Sequence, residues 1–353
     1  MITLETKVAV INDIDKDLKF IEEAAEVIKK SGLVVFPTET VYGLGANALD
    51  EEAVKKIFEA KGRPQDNPLI VHVSSIEQID NLVKDVPEIA KKMMERFWPG
   101  PLTIILNKND IIPNRTSANL STIGIRMPDD EIALKLIELS KTPIAAPSAN
   151  ISGRPSPTDI ERCVEDLSGR VDYIVGGIQS RVGVESTIID CTVNPPVVLR
   201  PGGTTVEMLK ELDNRIELDK GLMSKPTEDF KPKAPGMKYR HYAPKAKVRI
   251  VSGKREKTIE KICEIVHNYI DDGKKVGILA SEENSKYYVE GNVKVLGSTS
   301  KLEDVAHNLF ESLRSFDDMG MDIIIAEAFE EKGLGIAIMN RLKKSAGYDI
   351  ITV

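Results

Sequence analysis

From Met223 to Pro244 the sequence loses periodicity and turns rich in Pro, Lys and Gly, while the stretches on either side alternate short apolar β-rich runs with amphipathic helical patterns. An aperiodic segment of that length is uncommon inside one compact domain, and 353 residues exceed what one ordinary domain needs. Two α/β domains are therefore expected, over residues 1–210 and 247–353, with a linker over 211–246. In the first stretch Leu18, Ile21, Ala24, Ala25 and Ile28 recur at helical spacing, Ser31-Gly32 stops the helix, and Leu33 to Phe36 reads as a buried strand. Further helices are predicted over Glu51 to Ala60, Val86 to Phe97, Glu131 to Ser140 and Thr158 to Leu167. Strands are predicted at Leu69 to Val73, Leu102 to Leu106, Ile123 to Arg126, Ile144 to Ala146, Tyr173 to Val175, Ser186 to Asp190 and Val197 to Arg200. So many strands point to a mixed sheet. The second stretch predicts strands at Val248 to Val251, Val276 to Ala280, Val293 to Leu296 and Ile323 to Ala326, with helices at Ile259 to Ile270 and Leu302 to Phe316.

Charge narrows the function classes. The formal net charge of -7 argues against a surface built wholly to grip nucleic acid, and the positive charge is concentrated in the middle of the chain. Nine Lys/Arg and no Asp or Glu lie between Phe230 and Arg255, a run that reads equally as a solvated connector. No apolar run approaches the roughly 18 residues of a membrane span, and Met1 to Lys16 is mixed and acidic, so a cytoplasmic protein is expected. Cys163, Cys191 and Cys263 lie far apart with no CxxC or Cys/His pairing, and read as buried small hydrophobes.

Several signatures fail. Gly43-Leu44-Gly45-Ala46-Asn47-Ala48 imitates a dinucleotide fingerprint, but Pro37 to Tyr42 intervene where a tight strand-to-helix turn belongs. What remains is a density of polar residues at strand ends. Pro37 to Gly45 presents Thr40 and Tyr42 hydroxyls on a backbone shaped by Pro and Gly. Lys61-Gly62-Arg63 sets two cations around a glycine, suited either to a polyphosphate or to a helix C-terminus. His72 in a strand is a core histidine or a site residue. Arg126 in the apolar strand Ile123-Gly124-Ile125 needs an anionic partner, either a ligand or a structural carboxylate such as Asp129. Ser148 and Asn150 stand among small residues without a capping role, whereas Ser156 or Thr158 reads as a helix N-cap.

Taken together, PTETVYGLG (37–45), RPxxxPLIVH (63–72), WPGPLT (98–103), GIRMP (124–128), PSAN (147–150) and STI (186–188), with Lys61-x-Arg63 and Ser148-x-Asn150, resemble the threonylcarbamoyl-adenylate synthase family, which begins tRNA threonylcarbamoyladenosine modification. PGMKYRHYAP (235–244) resembles the long, two-domain Sua5 branch of the Sua5/YciO/YrdC/YwlC family. The resemblance implies a mixed twisted-sheet YrdC-like first domain and a smaller Rossmann-like second domain. It implies a nucleotidyltransferase that makes L-threonylcarbamoyladenylate and pyrophosphate from L-threonine, bicarbonate and ATP, with Mg2+ carried by ATP, for modification of the adenosine next to the anticodon. By matching position, threonine is expected around Thr40, His72, Arg126, Ala146 and Ser186. ATP is expected at Arg63, Asn67, Thr122, Ser148, Asn150, Ser156 and Arg200, and Lys61 and Arg63 are the expected catalytic cations. Lys238, Arg240, His241 and Tyr242 are expected to fold over the site as a strap. The implied partner is a downstream tRNA threonylcarbamoyl transferase machinery. An RNA-binding module in direct contact with tRNA, and carbamoyl transfer to a protein, are the alternatives.

Overall fold

The computed structural model describes residues 4–65, 67–222 and 242–353. These divide into two compact units, the second taking the chain from Tyr242 onward together with the short pieces Gly153–Pro155 and Val182–Val184.

The first unit runs β1 (Lys7–Val10), α1 (Ile14–Lys29), β2 (Val34–Phe36), β3 (Gly43–Asn47), α2 (Glu51–Lys61), β4 (Ile70–His72), a 3-10 turn (Ile76–Asn81), α3 (Glu88–Phe97), β5 (Leu102–Asn107), β6 (Thr122–Arg126), α4 (Glu131–Ser140) and β7 (Ile144–Ala146). It continues with α5 (Ile160–Leu167), β8 (Tyr173–Gly176), β9 (Thr187–Asp190), β10 (Val197–Arg200), α6 (Val206–Lys210) and β11 (Glu217–Leu218). The strands form one mixed sheet in the order β1-β8-β2-β3-β7-β4-β6-β5-β9-β10-β11.

Register decides which side chains share a face of this sheet. Side chains alternate between faces along a strand, and the pairings Val71↔Ile125, Val71↔Ala145 and Ile104↔Ile125 put these apolar residues together on one face. That face belongs to the main core, with Leu44, Ile57, Phe58, Met93, Ile123 and Ile189. The opposite face is split. Over β8, β2, β3 and β7 it is covered by α1 and α4 through Ile21, Ala24, Ile28, Leu136 and Ile137, packed with Val34, Phe36, Ile144 and Tyr173. Beyond that patch the same alternation places His72, Thr122, Arg126 and Thr103 on this second face.

The second unit runs β12 (Lys247–Ser252), α7 (Arg255–Asp271), β13 (Val276–Ser281), α8 (Glu282–Ser285), β14 (Asn292–Gly297), α9 (Leu302–Asp318), β15 (Ile323–Glu327), α10 (Leu334–Ser345) and β16 (Ile350–Thr352). Its sheet, β14-β13-β15-β12-β16, is parallel throughout and Rossmann-like.

Four sequence expectations change. Gly43 to Asn47 is a strand rather than part of a loop, and Gly45 is required there because a Cβ would lie 2.7 Å from both Phe36 Cε1 and Ile144 Cγ2. Residues 211–222, read as linker, instead extend the first unit: β11 pairs with β10, and Ile216 is fully buried in the main core. The cap of α5 is Asp159, whose carboxylate accepts from Arg162 N, not Ser156 or Thr158. Cys163 and Cys191 are buried, but Cys263 is half-buried.

Candidate active site

Lys61 shows how the sequence builds the site. Helix α2 begins at Asp50, whose side chain accepts from Glu52 N and Ala53 N, and ends at Gly62, a left-handed C-cap with φ 60° that favours glycine. The last helical residue, Lys61, is thereby buried, and its ammonium donates to Ser148 O, to Asn150 O at 2.6 Å and to Asn150 Oδ1 at 3.4 Å. Ser148 Oγ in turn donates to Asn150 Oδ1 at 2.6 Å. Lys61 of the Lys-x-Arg signature thus clamps the Ser-x-Asn signature. Lys61, expected as a phosphate-neutralising catalytic cation, directs its ammonium at these loop carbonyls. Arg63, half-buried, follows directly, and Asn67 is buried before β4.

On the second face of the sheet, His72 and Arg126 stand side by side in the β4–β6 register, both buried. The Arg126 guanidinium donates from Nη1 to Thr40 Oγ1 at 2.9 Å, from Nη2 to Glu39 Oε2 at 2.5 Å and from Nε to Gly100 O at 3.3 Å. Its carboxylate partner is therefore Glu39. Asp129 is corrected as that partner, since it is exposed and binds Arg181 at 2.6 Å. Thr40 is itself pinned by Thr38, with the two hydroxyl oxygens 2.9 Å apart. His72 packs edge-on against Phe36, and its pKa is lowered to about 3, chiefly by burial and then by the Arg126 charge, so the imidazole is neutral.

The remaining expected residues have partners of their own. Ser186 Oγ shares a hydrogen bond with Thr103 Oγ1 at 2.8 Å and accepts from Arg200 Nη2 at 3.0 Å, while Arg200 Nε donates to Ser186 O at 2.9 Å. Residues assigned to different ligands are thus joined in one network. Ala146 ends β7, whose neighbour β4 carries His72, and Ser148 bridges to Gly43. Thr122 opens β6 on the Arg126 face. Ser156 Oγ donates to Glu185 Oε1 at 2.6 Å, both residues buried. Lys238, Arg240 and His241 lie outside the described residues. Tyr242 is described, and its ring is not free for a strap: it is buried in the second unit, stacked on Phe310 with centroids 5.1 Å apart.

Two buried acids, Glu39 and Glu185, were missed by sequence reading. The signal for Glu39 was present, since an arginine in an apolar strand needs an acid and Glu39 is the acid of the Thr-Glu-Thr segment. Glu185 precedes the recognised Ser-Thr-Ile and gave no comparable signal.

Arg126 and Arg200, both buried, are thus set among hydroxyls and a neutral histidine at an α/β sheet, the kind of polar cluster at which small molecules bind. A family model described as Sua5_yciO_yrdC, Telomere recombination, matches residues 26–202, and a second, described as Threonylcarbamoyl-AMP synthase, C-terminal domain, matches residues 204–347. The chain is 53% identical over 330 residues to the threonylcarbamoyl-AMP synthase of Pyrococcus abyssi, covering 94% of this chain and 95% of the relative. It is 50% identical over 332 residues to that of Bacillus subtilis, covering 94% of each. Among solved structures, a double alanine variant of P. abyssi Sua5 aligns with a TM-score of 0.93 at 50% identity, covering 99% of this chain and 98% of that one. P. abyssi Sua5 complexed with L-threonine aligns with a TM-score of 0.90, also at 50% identity, covering 99% of each. The chain belongs to the Sua5/YciO/YrdC family, in its two-domain Sua5 form.

Proposed function

We propose that this chain is a nucleotidyltransferase that makes L-threonylcarbamoyladenylate and pyrophosphate from L-threonine, bicarbonate and ATP, supplying the threonylcarbamoyl group for tRNA modification beside the anticodon. The observation that carries this reading is the buried Arg126 fork. Its two terminal nitrogens each spend one N–H on Thr40 or Glu39 on the polar face of the sheet, and we assign the second N–H of each to an amino-acid carboxylate. Relatives at 50–53% identity are named threonylcarbamoyl-AMP synthases, and one solved neighbour holds L-threonine.

In this reading threonine lies against Thr40, His72, Arg126, Ala146 and Ser186. Its free amine condenses with bicarbonate to a carbamate and water. A carbamate oxygen then attacks the α-phosphorus of ATP in line, and pyrophosphate leaves. Such a reaction needs positioning and charge neutralisation more than a covalent nucleophile. Arg63, Asn67, Thr122, Ser148, Asn150, Ser156 and Arg200 are assigned to the nucleotide, and neutral His72 adds no charge to compete with the arginines. Mg2+ arriving with ATP offsets phosphate charge. We assign its ligands mainly to phosphate and water, as is usual for Mg2+ carried by a nucleotide. A tRNA-modifying transferase is proposed to consume the product. Among the described residues no helix is long and apolar enough to cross a membrane, and we infer a cytoplasmic site of action.

The test is pyrophosphate release with each component withheld in turn. Release is expected only with ATP, threonine and bicarbonate together; equal release without threonine or without bicarbonate overturns the reading.

A further inference from the structure

We propose that Glu39 is a substrate-binding residue, the acceptor for the ammonium of the amino acid whose carboxylate Arg126 holds; the inference rests on the threonine reading above. The Glu39 side chain is 2% exposed and gives Oε2 to Arg126 Nη2. Its other oxygen, Oε1, is buried and accepts no hydrogen bond from any described residue. Buried polar atoms are nearly always paired, and an unpaired charged oxygen costs more than a neutral one. A second such atom, His72 Nδ1, belongs to a residue beside the same arginine. These two unsatisfied atoms therefore flank Arg126, where a ligand is expected.

Charge decides what kind of ligand. The centre holds one buried cation, Arg126, one buried anion, Glu39, and a neutral imidazole. Near Glu39, the Asp130 carboxyl has its pKa raised, mainly by burial and to a smaller degree by the Glu39 charge, so this side of the site disfavours more negative charge. An α-amino acid zwitterion carries the complementary pair of poles. Its carboxylate takes donors from the guanidinium, its ammonium takes Oε1, and no net charge is added to a dry site. ATP and bicarbonate bring no ammonium. Glu39 is thus the group that makes the site select an amino acid over the corresponding hydroxy acid, holding the nitrogen that becomes the carbamate nitrogen.

The test compares binding of L-threonine and of (R)-3-hydroxybutyrate, which keeps the carboxylate and hydroxyl but lacks the amine, to the full-length wild type, Glu39→Gln and Glu39→Asp. Glu39→Gln is expected to lose L-threonine affinity about tenfold or more, the usual scale for a charge-assisted hydrogen bond. It should hold or gain affinity for 3-hydroxybutyrate, whose carboxylate no longer competes with Glu39 for Arg126. A smaller loss for threonine, or parallel losses for both ligands, overturns the proposal; the latter would leave Glu39 a support for Arg126 alone. If the glutamine variant does not fold, Glu39→Asp decides: a reduced threonine-to-hydroxybutyrate preference supports the proposal and an unchanged preference overturns it. A wild type that binds neither ligand is a separate result, which overturns the threonine-site reading and this proposal with it.

Discussion

Replacing Lys61 by methionine separates a loop clamp from a phosphate ligand. Methionine keeps an unbranched stem of similar volume but removes the ammonium that reaches Asn150 O at 2.6 Å and also bonds Ser148 O. Two carbonyls then lose a donor in a buried place, at about 1–3 kcal/mol each. Relief of the ammonium's own desolvation offsets part of this, leaving a net loss of about 2–3 kcal/mol. At about 2–4 °C per kcal/mol for a domain of this size, the melting midpoint of the first domain should fall by about 4–12 °C. Calorimetry on the full-length variant reads that transition, with the KM for ATP measured in parallel. A melting midpoint unchanged within 1–2 °C (roughly half a kcal/mol) alongside a large loss of ATP use would refute the clamp, since the ammonium would then serve the nucleotide.

Three further outcomes follow from the site. The His72 pKa of about 3 lies below the ordinary 6.5, so the unfolded chain takes up a proton that the native state refuses; stability is complete above about pH 6.5 and declines as pH falls toward 3. Urea midpoints at pH 7 and pH 5 should show His72→Gln reducing the pH-dependent loss by about 2 kcal/mol, and identical pH dependence in both proteins would contradict a buried neutral imidazole. Arg63→Ala should raise the KM for ATP tenfold or more, the scale of a lost charge-assisted contact, with threonine affinity within about threefold; comparable losses for both ligands would show that Arg63 is mis-sorted. Because a site that hydrogen-bonds a hydroxyl rejects the analogue lacking it, serine should support pyrophosphate release better than valine, and comparable turnover would remove the reason to expect a contact to the threonine hydroxyl.

Periodicity and turn chemistry made the alternating core legible, because runs such as Val34-Val35-Phe36 and Ile123-Gly124-Ile125 are long or patterned enough to declare a strand. They did not reveal β3, whose glycines give no side-chain pattern and are in the sheet because Phe36 and Ile144 crowd that position. Strand β11 and the buried Ile216 were hidden in the same way, since a two-residue strand leaves no period. Arg126 was legible as a charge in need of a partner, but choosing Glu39 over Asp129 needed tertiary geometry: the nearer acid in sequence lies at the surface. Lys61 was legible as a residue of importance, but its bonds to the Ser148–Asn150 loop were not, because a motif records which side chains occur together and not which way an ammonium points.

The account turns on Arg126 as the anchor of an amino-acid carboxylate, and L-threonine titrated calorimetrically into the wild type and Arg126→Lys tests it most directly, with ATP titrated as control. Lysine keeps the positive charge that Glu39 requires but not the two-pronged fork that reaches Thr40 and Glu39 together. The account predicts a loss of threonine affinity of about tenfold or more, the scale of one charge-assisted hydrogen bond, with ATP affinity within about threefold. Threonine binding equal in the two proteins would contradict it.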